Sequence, residues 1–146
     1  MSDMNKAKQF LRGYRNAKRN LQIIENQIAE IKDILGISGL SFDDVKVQTS
    51  TAPDNLANQI AMLSDLYSQA MYARDVVIQQ LNIVTKAIDK IDNPLYRQIL
   101  SDRYIAGNRW DIIAESAGYT CRQIFRIHGY ALQEIDKIIQ DVTKCH

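Results

Sequence analysis

Two long runs of apolar residues, each keeping spacings of three and four over many turns, commit this chain to long helices. Phe10, Tyr14, Ala17, Leu21, Ile24, Ile28, Ile31 and Leu35 make the first, and Leu56, Ile60, Leu63, Tyr67, Ala70, Arg74, Val77, Leu81, Val84, Ile88 and Ile91 the second. A sustained repeat of this kind is the seam of a coiled coil rather than the broader face of a globular helix. Helices of about 30 and 37 residues reach roughly 45 to 55 Å. The pattern fits equally an antiparallel hairpin within one chain and a homodimer paired between chains. Arg74 is the exception on the second seam: its charge must reach solvent or an acid, either as a device for register and partner choice or by snorkelling out of a loosely packed stretch.

Between the runs, a connection at 36–54 is rich in Gly, Ser, Thr and Asp, and its Leu40 to Ser50 segment, LSFDDVKVQTS, alternates enough for a short strand or an extended arm. Asn93-Pro94 ends the long helix, because the residue before proline is pushed out of the α region. The expected fold class is therefore all-α. A helical hairpin or coiled coil fills 1–92, and a separate C-terminal domain fills 93–146.

That C-terminal part reads as short helices, a tight turn and a longer helix. Ile99, Leu100 and Tyr104 mark a first helix that Gly107-Asn108 breaks; Trp110, Ile112, Ile113 and Ala117 mark a second, with Asn108 as its expected cap. Gly118 stops the second helix and Thr120 is placed to cap the next. From Cys121 to about Val142 no proline interrupts. Ile124, Ile127, Ala131, Ile135 and Ile138 would face the core, leaving Arg122, Arg126, Gly129 and Gln133 outside. This is the layout of a helix-turn-helix, whose second helix meets base edges with its first turns, and arginine is the side chain that best matches guanine there. Trp110 reads as a core anchor rather than a stacking platform. His128 reads as a surface or half-buried helix residue rather than a metal ligand. Gly129 costs about 1 kcal/mol relative to alanine inside a helix. Close approach to DNA or to another helix are the two reasons that would justify it.

The run from Asp92 to Leu132, with Arg97, Ile99-Leu100, Arg103-Tyr104, Gly107, Ile113-Ala114, Gly118, Thr120, Ile124, Ile127 and Ala131-Leu132, resembles the fourth conserved region of bacterial sigma factors. The fuller pattern RYIAGNRWDIIAESAGYTCRQIFRIHGYAL, preceded by a long helical segment and VQTSTAPDNL, is similar to small phage proteins of the ArpU and RinA type. The resemblance implies a regulator of late transcription in phages or prophages. It implies double-stranded DNA as partner and a further contact with host RNA polymerase. The residues implied to touch DNA are Arg109, Thr120, Cys121, Arg122, Gln123, Phe125 and Arg126. Phe125 stands where an arginine is usual in sigma factors and Arg122 where an acid is common, which implies a target other than the ordinary promoter element.

The net charge of +1 gives no global basic field, but charge is unevenly placed. Lys6, Lys8, Arg12, Arg15, Lys18 and Arg19 fall between Met4 and Gln22 with no acid among them. Such a helix can contact phosphates or an acidic partner, or be a solvated face. Cys121 and Cys145 make no disulfide framework, and the Cys145-His146 tail has too few ligands for a metal. With no signal peptide and no membrane-length apolar run, an intracellular place and no membrane partner are expected, and the resemblance to phage regulators implies the cytoplasm of a bacterial host. There is no glycine-rich phosphate loop, and no nucleophile stands beside a base, so neither an enzyme nor a bound cofactor is expected. The competing reading is an oligomeric adaptor of a DNA-packaging machine, similar to a small terminase subunit, which also couples a helix-turn-helix to a long oligomerising helix.

Overall fold

A computed structural model describes residues 2–39 and 54–144. The fold is all-α, with no strand among the described residues. Helix α1 spans Ser2–Ile34 and α2 spans Asp54–Asp89, 33 and 36 residues long. Short α3, Pro94–Leu100, runs directly into a π-helical turn at Ser101–Ile105. Helix α4, Trp110–Ala117, and α5, Cys121–Lys144, complete the chain. The expected strand or arm at Leu40 to Ser50, and the Cys145-His146 tail, lie outside the described residues.

Contacts group the chain into two compact units, one of residues 18–77 and one of 1–17 with 78–146. The unit holding the C-terminal helices thus reaches back beyond the expected 93–146. The burial pattern gives the reason. Ala7, Leu11 and Tyr14 on α1 and Val84, Ala87 and Ile88 on α2 are buried, each set at helical spacing, and so is Ile91 just past the end of α2.

In the unit of residues 18–77 the core is Ile24 and Ile28 against Ile60, Leu63, Ala70 and Ala73, flanked by half-buried Leu21, Ile31, Leu35, Leu56, Leu66 and Tyr67. Ile24 shares a groove with Gln69, Tyr72 and Ala73, and Ile28 shares one with Tyr67 and Ala70, so the two segments pair antiparallel within one chain. The seam departs from the expected register at one point. Ala73 is buried, whereas the Arg74 side chain is 66% exposed and lies 3.7 Å from Glu25. A small residue takes the contact, and the charge lies on the flank, where it finds both water and an acid. An ion pair this exposed contributes about 0 to 1 kcal/mol.

Around the break between α2 and α3, Asn93 caps α3 by accepting from the Leu95 N–H at 2.9 Å, and Pro94 occupies the first helical position. Arg97 turns back to donate to the carbonyls of Ile91 and Asp92. The next helical stretch widens by one residue, with Ala106 N–H bonded to the Ser101 carbonyl at 2.9 Å. Ile99, Ile113, Ala114 and Ile124 then form the core that joins α3, α4 and α5, with Leu95, Trp110, Ala117 and Ile127 packed on it.

Candidate nucleic-acid interface

The turn between α4 and α5 is built from backbone chemistry that the residues dictate. Gly118 adopts φ +76°, a left-handed conformation that costs glycine little. It lets the Tyr119 N–H reach the Ala114 carbonyl at 3.0 Å and the Gly118 N–H reach that of Glu115 at 3.2 Å, the bond pair that closes a helix end. Thr120 then starts α5. Its Oγ1 accepts from the Gln123 N–H at 3.2 Å while the Gln123 Oε1 accepts from the Thr120 N–H at 2.9 Å. This reciprocal cap satisfies two orphan donors and fixes the angle at which α5 leaves the turn. The T-x-x-Q spacing was its sequence signal.

Along α5, Ile124, His128, Ala131, Leu132 and Ile135 are buried. At 100° per residue, Arg122, Arg126, Gly129 and Gln133 fall opposite that stripe. Thr120, Cys121, Arg122, Gln123, Phe125 and Arg126 are all exposed, so six of the seven residues implied to touch DNA cluster on the first turns of one helix and its cap. Gln123 has its amide oxygen committed to the cap. Neither Arg122 nor Arg126 is ion-paired among the described residues. Arg109 is different: exposed at the N-cap of α4, it grips the Asp111 carboxylate with Nε at 3.1 Å and Nη2 at 2.7 Å. That bond holds Asp111 below the ordinary carboxylate range.

Asn108 does not cap α4. Arg109 holds the cap position with no side-chain bond to the backbone of the first turn, because Asn108 is drawn one residue too early into the preceding loop. Its N–H bonds the Asp102 carbonyl at 2.9 Å, and its own carbonyl accepts from Arg103 at 3.0 Å. Trp110 is half-buried rather than a sealed core anchor. The Arg103 guanidinium stands 4.6 Å from its ring centroid, and His128 and Phe125 meet it edge-on at 4.6 and 5.4 Å. The ring is therefore the joint between the loop before α4 and the outer face of α5. Trp110→Ala is expected to cost about 1 to 3 kcal/mol in a denaturant titration, less than the roughly 3 to 5 of a fully enclosed tryptophan.

His128 is buried, more deeply than the surface or half-buried position expected for it. Its Nε2 lies 2.8 Å from the Tyr104 hydroxyl, and the two rings stack with centroids 5.7 Å apart. Burial, with Lys8, Arg103 and Arg12 nearby, pushes its pKa down to about 4. Burial also pushes the Tyr104 phenol up, against the opposing pull of Arg12 and Arg103. No sequence spacing signals this group, since its members are brought together from α1, the π turn and α5.

Gly129 has open space where a Cβ would stand, which removes close packing against another helix among the described residues as its reason. Gly129→Ala is expected to raise stability by about 0.5 to 1 kcal/mol, as alanine restores helix propensity. Reduced affinity of the same variant for a bound duplex would identify close approach of DNA as what the glycine serves.

Comparison with family models, curated proteins and solved structures finds no match to this chain. Among the described residues no group of three or more His, Cys, Asp or Glu could hold a metal ion, and no helix is long and apolar enough to cross a membrane.

Proposed function

We propose that the protein is a sequence-specific DNA-binding transcription regulator that places α5 in the major groove. The observation that carries this reading is the unpaired, outward pair Arg122 and Arg126 on the first turns of a helix whose start is fixed by a glycine turn and a reciprocal Thr120–Gln123 cap. A guanidinium there can take guanine O6 and N7 in a bidentate bond, and the exposed Phe125 beside it can meet a thymine methyl. The helix before the turn would cross the backbone in the usual manner of helix-turn-helix domains. The resemblance to phage late regulators of the ArpU and RinA type agrees with this, and places RNA polymerase among the candidate partners.

The experiment is selection of bound sequences from random duplex DNA at two salt concentrations. One enriched motif, retained at the higher salt, supports base reading, because base contacts add to the salt-sensitive phosphate term. No enrichment at either salt would sink it.

A packaging adaptor is the second reading. Exposed Ile23, Met62, Met71 and Tyr72 in the unit of residues 18–77 favour a partner for that unit. Light scattering separates the two: a ring of many copies supports the adaptor, and a monomer or dimer supports the regulator.

A further inference from the structure

The first helix carries its cations in register. Lys8, Arg12 and Arg15 follow one another at spacings of four and three, each one position beyond the buried Ala7, Leu11 and Tyr14. They therefore border the face that α1 buries, with their stems at the edge of the packed layer.

Their neighbours are also basic. Arg15 lies over the loop before α4, where a Cβ on Gly107 would collide with its guanidinium. Gly107 leaves that space open, and its φ of +76° suits a residue without a side chain. Arg103 stands on Trp110 and bonds the Asn108 carbonyl in the same loop. Lys8, Arg12 and Arg103 all bear electrostatically on His128. Among the described residues, none of the four cations has an ion-pair partner. Like charges gathered without counter-charge repel one another, so the arrangement is better suited to a bound anion than to the free protein.

We infer that Lys8, Arg12, Arg15 and Arg103 form a phosphate-binding surface, on which the DNA strand flanking the α5 site lies. This rests on the DNA-reading role proposed for α5. The anion would be the duplex backbone rather than a small ion, because the four cations are spread from α1 across the loop to Trp110. That ring in turn touches Phe125 on α5. Two parts of one duplex, groove and backbone, would thus be held by adjoining side chains of one compact unit.

The test is a titration of the full chain with the selected duplex and with a scrambled one, over a range of salt. In the Lys8→Gln, Arg12→Gln, Arg15→Gln triple variant the slope of log affinity against log salt should fall by about 2 to 3. Between about 50 and 200 mM salt the wild type should lose roughly 40-fold more affinity than the variant. The weakening should be equal on both duplexes. Arg12→Lys with Arg15→Lys, which keeps the charge, should retain the wild-type slope.

A folded triple variant with the wild-type slope, beside an Arg122→Ala, Arg126→Ala variant that loses the selected site, would overturn this surface and leave the α5 reading intact. A wild type that binds neither duplex would overturn both. Should the triple variant fail to fold, Arg12→Gln alone, at an exposed position, should lower the slope by about one. An unchanged slope there counts against the surface.

Discussion

Alanine at both Arg122 and Arg126 is expected to weaken binding to the selected duplex by about 2 to 6 kcal/mol, a factor of roughly 30 to more than ten thousand. Each guanidinium that pairs bidentately with a base supplies about 1 to 3 kcal/mol of discrimination. Both side chains are exposed and lie opposite the buried stripe of α5, away from the core formed by Ile99, Ile113, Ala114 and Ile124. The double variant should therefore keep its melting temperature within a degree or two, and the loss should fall on binding alone. Single variants separate the two kinds of contact. If Arg126 reads a base, Arg126→Ala loses affinity at one or two base positions only. If it touches phosphate, affinity falls evenly across sequences and the salt slope falls by about one. Equal affinities of wild type and double variant would show that this helix does not read DNA.

What could be read from the sequence was whatever depends on neighbours within a turn or two. The apolar spacings gave α1 and α2 nearly to length, Asn93-Pro94 gave the break that ends α2, and Gly118 followed by Thr120 gave the turn before α5. Each rests on a local cause: period, proline sterics, a positive φ, or a side chain capping its own helix. Position on a helix face was also legible for Arg122 and Arg126, since the stripe from Ile124 to Ile135 fixes what lies opposite.

Where local rules misled, a competing contact had intervened, near in the chain for Asn108 and Arg74 and distant for His128. Asn108 has the chemistry of a cap, yet the Asp102 carbonyl and the Arg103 guanidinium take its backbone first. Arg74 fits the heptad count, but the smaller Ala73 lets the helices meet one position earlier. The burial of His128 is not legible from its neighbours, because its partners are Tyr104, 24 positions away, and a cluster of cations partly from α1. The basic N-terminal segment was visible as composition, but its placement beside the Gly107 loop was not, for the same reason.

Stability should fall as pH drops from about 6.5 towards 4, and His128 should account for about 3 kcal/mol of that loss. In the folded chain the imidazole is neutral down to a pKa of about 4, because burial disfavours its charge and Lys8, Arg103 and Arg12 repel it. In the unfolded chain it titrates near 6.5. Between those values the unfolded state holds a proton that the folded state refuses, so each unit of acidification takes about 1.4 kcal/mol from stability. Above 6.5 both states are neutral and the full contribution is present; below 4 both are charged and no further loss comes from this group. Neutral His128 can accept the Tyr104 hydroxyl proton on Nε2, whereas the imidazolium cannot. The measurement is a series of denaturant titrations of wild type and His128→Gln from pH 7.5 to 4, with glutamine chosen to keep a hydrogen-bonding group beside Tyr104. Carboxylates, including Asp102, whose pKa burial raises, contribute equally to both proteins and cancel. The variant should show a shallower pH dependence, by about one proton at the midpoint of the interval. Parallel curves would mean that the imidazole binds its proton alike in the folded and unfolded chain, and that the cations around it are further away or better screened than their placement implies.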